Sequence, residues 1–251
     1  MDTSVPAGLD AAELADLCLR LGDDALVYSH RLAEWCSNAP DLEEDIALAN
    51  IALDLLGQAR LLLARAAAAS PGLVPVLPEG SPVPVEDRLA FFRDDHDFRN
   101  VRFVEPENGD FAVTITRLLL FATHRLAVLE RLRAHPDAVL AAIAAKGVKE
   151  VAYHRDYGGR WFVTLAQGTD ESRRRLLAAL ETVFPLYDEL LATGVADVRD
   201  EVEVVVDQVL AVAGVERPDV KPIGGARHTE ALSRMLAEMQ VVARAHPLGV
   251  W

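Results

Sequence analysis

An all-α helical bundle is the fold this sequence predicts, on three observations. Alanine, leucine, arginine and glutamate are abundant, and glycine and proline collect in a few places. Long apolar stretches recur at helical spacing and are closed by cap and breaker residues. A proline-rich stretch, Ser70 to Pro84, separates the long segments as a crossover does in a bundle. With 251 residues and 51% hydrophobic composition the chain can bury one sizeable core. Residues 1–251 are therefore read as a single domain, with 1–22 expected to be partly flexible.

The first helix is expected to start within Glu13–Arg20. Gly22-Asp23-Asp24 reads as a break before a second stretch, Ala25 to Cys36, whose Leu26, Leu32, Ala33 and Cys36 suit helical spacing. Asn38-Ala39-Pro40 ends it. Asp41 then makes an N-cap, followed by Glu43, Glu44 and Asp45 in the first turn, where the helix dipole favours negative charge. This second long helix runs to about Ala69. Its middle, Ile46 to Leu56, is apolar nearly all round and implies burial on most sides. The exceptions are Asn50, Asp54 and Gln58, spaced four apart and aligned as one polar stripe.

The crossover carries five prolines (Pro71, Pro75, Pro78, Pro82 and Pro84), too broken for a helix or a central strand. Residues 86–98 read as a shorter helix and 105–110 as a turn and cap. Phe111 to Arg133 forms the third long apolar helix, closed by His135-Pro136. Asp137 caps a fourth, which continues to about Leu165. Thr169 or Asp170 caps a fifth to about Leu191, with a kink at Pro185. Residues 201–206 alternate like a strand, but no second strand candidate exists, so 196–213 is read as helix. Thr229 opens a last helix through Arg244.

The formal net charge is −14, and the only lysines are Lys146, Lys149 and Lys221. That balance argues against nucleic acid as a partner. No stretch reaches the roughly 18 uninterrupted apolar residues that suggest a membrane span, so no membrane is expected. The first residues lack the basic region of a signal peptide. Cys18 and Cys36 form no paired-thiol motif and read as reduced core thiols of a cytoplasmic protein.

Two stretches come near to metal chemistry. A di-iron carboxylate bundle takes one Glu from each of two helices and Glu-x-x-His from each of the other two. Asp54-Leu55-Leu56-Gly57 has glycine where that histidine belongs, and Glu150-Val151-Ala152-Tyr153 has tyrosine, with His154 one position late. Glu34 is the carboxylate available on the first helix. Between Asp110 and Glu130 the third helix has no acidic residue, only Arg117, His124 and Arg125 among charged or titratable ones. It cannot supply a central carboxylate, and a positive charge facing the cavity would replace part of the field that holds metal. The site reads as lost.

His154 then reads as a core histidine satisfied by a neighbouring carboxylate, and Asn50–Asp54–Gln58 as a residual polar line or an interhelical hydrogen-bond network. Asp94, Asp95, His96 and Asp97 cannot converge on one ion if they lie consecutively on a helix. With Phe91, Phe92 and Phe98 they read as a charged partner surface with aromatic anchors, or as a plain solvated helix. Arg173-Arg174-Arg175 suggests an external anion or acidic partner, against a solvated face.

Several motifs in matching order carry a resemblance: 53–60 (LDLLGQAR), 92–100, Asn108-Gly109-Asp110-Phe111-Ala112, 149–154 (KEVAYH), 225–230 (GARHTE) and Leu236-Ala237-Glu238-Met239-Gln240. Together they resemble the PaaC family, structural subunits of bacterial phenylacetyl-CoA 1,2-epoxidase (ring-oxygenase) complexes, over roughly Gly22 to Trp251. The resemblance implies a ferritin-like bundle with additional C-terminal helices and no catalytic residue, metal or cofactor of its own. It implies pairing with a related catalytic subunit that holds the di-iron centre, together with a small bridging subunit and a flavin and iron–sulfur reductase. The apolar second and third long helices are expected to offer the partner face, which an isolated chain can also use to form a homodimer. The alternatives are a working di-iron oxygenase or ferritin-like protein with atypical ligands, and a free-standing helical adaptor.

Overall fold

The chain is described from a computed structural model, which covers residues 4–192, 196–225 and 227–250. Among these residues every regular element is helical. Helix α1 spans Ala11–Ala33, α2 Leu42–Ala69, α3 Val85–Phe91, α4 Phe111–Leu132 and α5 Ala138–Gln167. Then follow α6 (Asp170–Val183), α7 (Tyr187–Leu191), α8 (Arg199–Ala213) and α9 (Glu230–Ala245). Short loops pair α1 with α2 and α4 with α5 along their lengths, α2 also meets α5, and the crossover joins the two pairs. This is the ferritin-like bundle, with α6 and α8 packed on α4 and α5, and α9 on α3.

Local chemistry starts α2, α4, α5 and α6 where the sequence predicts, whereas α1 starts at Ala11, before the expected Glu13–Arg20. The side chains of Asp41, Asp110, Asp137 and Thr169 accept the N–H groups of Glu44, Val113, Leu140 and Ser172 at 3.0, 3.1, 2.8 and 3.1 Å. Asp10 caps α1 in the same way. Proline lacks an N–H, and at Pro185 the fifth helix becomes a 3-10 turn, Phe184–Leu186, between α6 and α7. The valine-rich 201–206 segment is helical, with Val202, Val206 and Leu210 turned to the core.

Several expectations change. Gly22-Asp23-Asp24 does not break α1. Gly22 lets α2 approach, since a Cβ there would lie 3.1 Å from Leu63 Cδ2, and both aspartates are buried. Residues 11–22 belong to the core through Leu14, Cys18 and Leu21. Cys36 is exposed, because it falls in the turn after α1, whereas Cys18 is buried. The 86–98 helix stops at Phe91, and Asp95–Asp97 forms a separate 3-10 turn.

Helices α2 and α4 are both long and apolar enough to cross a membrane by length and composition, with mean hydropathies of 1.5 and 1.4. The apolar window of α4 is 89% buried inside the fold, so α4 is its central helix and offers no partner face. That of α2 is only 44% buried, contrary to the burial expected on most sides.

Candidate functional site

Two residues of the α2 polar stripe, Asp54 and Gln58, face α5 and α4. His154 is 1% exposed, and its Nε2 lies 3.0 Å from Asp54 Oδ2. Burial lowers the imidazole's pKa, and the bond to Asp54 only partly offsets this, so His154 is a neutral donor at pH 7. One turn along, Gln58 Nε2 donates to Glu150 Oε2 at 2.9 Å, and Lys146 closes on the same carboxylate. Gln58 Oε1 accepts from Arg125 Nε at 2.9 Å, and a terminal nitrogen of Arg125 donates to the Leu21 carbonyl at 3.2 Å. Burial lowers Arg125 to about 10, against the pull of Asp24 and Glu150, which leaves it charged at neutral pH.

One hydrogen-bond chain, Leu21–Arg125–Gln58–Glu150, therefore ties all four long helices together. The residues present do not fit a di-iron pair. Among the described residues no three His, Cys, Asp or Glu side chains form a group that can hold a metal. The buried Arg125 guanidinium is bonded to Gln58, which also holds Glu150, and its charge there would repel a cation. Glu34 is exposed and turned away, bonded to Arg31 at 2.7 Å and Asn108 at 3.1 Å. Tyr153 is 47% exposed, and a Cβ on Gly57 would meet nothing within 4 Å, so neither histidine-replacing residue points into the bundle. Asn50 is exposed and outside the network.

The sequence profile of a family described as phenylacetic acid catabolic protein matches residues 2–251. The chain belongs to the phenylacetic acid catabolic protein family. A curated member, the C component of the 1,2-phenylacetyl-CoA epoxidase of Escherichia coli (strain K12), is 38% identical to it, over 95% of this chain and 99% of the relative.

Other residues of this family member take roles unlike those expected. The Phe91–Arg99 segment is a clamp rather than a free surface. Arg93 donates to both carboxylate oxygens of buried Asp23, Phe98 is fully buried, Asp95 bonds Ser233 and Asp94 bonds Arg244. Arg173 caps the end of α5 through the Ala166 carbonyl, and Arg174 and Arg175 pair with Glu171. Asp23, Asp24 and Glu105 were missed as interior groups. Glu105 accepts from Asn100, His228 and both the N–H and hydroxyl of Thr229, fixing the start of α9. Asp23 stands four residues after Leu19 and four before Val27, and that apolar row was the available signal.

Proposed function

We propose that this chain is a non-catalytic structural subunit that pairs with, and stabilises, the catalytic subunit of a phenylacetyl-CoA ring epoxidase in phenylacetate catabolism. The name of the E. coli relative supports the assembly. The observation that carries the structural role is the buried Arg125 guanidinium hydrogen-bonded across the bundle to Gln58 and the Leu21 carbonyl. A cation fixed there does for the four helices what bridging carboxylates and metal do in a di-iron bundle: it links them, but without redox chemistry.

In this reading the partner holds the iron, a small bridging subunit joins the pair, and a reductase with flavin and iron–sulfur groups supplies electrons. The chain itself carries no cofactor and works in the cytoplasm, where its two thiols stay reduced. The exposed apolar side of α2 supports a tight partner contact. Co-expression with the catalytic subunit of the same complex should give a co-purifying pair whose iron content follows the partner. Separation of the two chains, or near-stoichiometric iron on this chain alone that is lost with Glu150→Ala and His154→Ala, would overturn the proposal.

A further inference from the structure

A cavity of about 350 Å³ opens between α1, the 99–102 loop, α4 and the end of α7. Its volume falls at the lower end of the roughly 300–1,000 Å³ of small-molecule sites. Four arginines line it, Arg20, Arg99, Arg102 and Arg227, although the chain as a whole carries a net charge of −14. Two of the four are committed. Arg102 donates to Glu189 at 2.8 Å and to the Ile223 carbonyl at 2.9 Å, and Arg20 pairs with Asp16. The guanidinium groups of Arg99 and Arg227 make no hydrogen bond or ion pair among the described residues; only the Arg99 backbone N–H is engaged, by Asp23.

The inner wall adds an independent sign. His124 is 5% exposed and Asn100 is 4% exposed; both line the cavity, and His124 Nε2 and Asn100 Oδ1 have no hydrogen-bond partner. Buried polar atoms are rarely left so, and two on residues that line one cavity point to a guest or ordered water there. The carboxylates beside them do not oppose an anion strongly. Glu189 is neutralised by Arg102, and burial raises Asp24 to about 7, so that it is partly protonated at neutral pH.

We propose that this cavity binds a small organic oxyanion, a phosphate monoester or a carboxylate, with its anionic head between Arg99 and Arg227 and a hydroxyl or amide reaching His124 and Asn100. A concave site with a buried polar wall fits a small molecule better than an acidic protein surface, which needs only a flat basic patch.

The test is titration of the purified chain with inorganic phosphate, glycerol phosphate and succinate at constant ionic strength, followed by calorimetry and by Tm, with chloride as control. At least one oxyanion should bind saturably and raise Tm, and the arm that responds identifies the head group. Arg99→Ala with Arg227→Ala should weaken that binding at least tenfold. Both side chains are exposed and unpaired, so the double variant should keep the wild-type Tm without ligand. Arg160→Ala, on α5 and paired with Asp156, should bind like wild type. No saturable binding of any of the three anions, or equal binding by the double variant, would overturn the proposal.

Discussion

Arg125 shows how one side chain settles what a bundle interior can do. It is 2% exposed, charged and bonded to α1 and α2, so removing it strands Gln58 and the Leu21 carbonyl and opens a void. Arg125→Ala should lower unfolding free energy by about 3–5 kcal/mol in urea denaturation; a loss under about 1 kcal/mol would mean the guanidinium does not hold the helices. The buried histidines set a pH dependence. Burial lowers His124 to about 4, with Arg125 adding to the effect, and lowers His154 as well. As pH falls below about 6.5 the unfolded chain takes up these protons before the folded one does. Their stabilisation is therefore complete above pH 6.5 and lost as pH falls toward 4, by up to about 3 kcal/mol for His124 alone. His228 runs the other way. Burial would lower it, but Glu105 and the Phe98 carbonyl outweigh burial and raise it, so its contribution is lost as pH rises through its folded pKa. Replacing His124 with Phe should flatten the acid side of the stability–pH curve; an unchanged slope there would refute the assignment. At this scale the missing Glu-x-x-His partners and the acid-free α4 were legible, because both are absences in a fixed pattern. The partner of Arg125 was not, since Gln58 and Leu21 are remote in sequence.

At the scale of elements, caps were legible and breaks were not. Asp41, Asp110, Asp137 and Thr169 act on N–H groups three residues away, so their effect is written locally. Gly22-Asp23-Asp24 has the composition of a turn, yet packing with α2 and ion pairing with Arg93 keep it helical. The 92–98 segment has the composition of a helix, yet Arg93 and Phe98 are drawn inward and pull it off the axis. Two glycines test the same distinction. Gly57 lies in α2 with open space at its Cβ position, so Gly57→Ala should stabilise by about 0.5–1 kcal/mol through helix propensity. Gly158 lies in α5 where a Cβ would stand 3.2 Å from both the Leu119 Cα and backbone N of α4. Backbone cannot turn aside as a side chain can, so Gly158→Ala should destabilise by about 1–3 kcal/mol despite the same propensity gain. Thermal unfolding of the two variants should shift Tm in opposite directions; a rise in both would show that α4 and α5 do not pack this closely.

Across the whole molecule, among the described residues, the bundle leaves one long apolar seam on α2 without a neighbour of its own. Leu42, Ile46, Ala49, Leu53 and Leu56 alternate spacings of four and three along α2, the repeat that keeps a helix face turned to a packed partner. Leu42, Ile46, Leu53 and Leu56 on this seam are 69, 54, 62 and 45% exposed, while Leu48, Ile51, Leu55 and Leu62 on the opposite side are fully buried. The sequence made α2 apolar all round but could not say which half the chain itself would cover. Burying a leucine is worth about 1.5–3 kcal/mol, and burying a glutamate unpaired costs more. Leu53→Glu combined with Leu56→Glu should therefore weaken association with the catalytic subunit by more than about 100-fold, as about 3–6 kcal/mol of lost contact requires. Because neither side chain belongs to the core, helix content and Tm of the isolated chain should stay near wild type, which separates loss of contact from loss of fold. Val212→Glu on α8, at an equally exposed valine (64%), should leave association intact. Co-purification of the double variant at wild-type yield would place the partner elsewhere and leave the α2 seam unexplained.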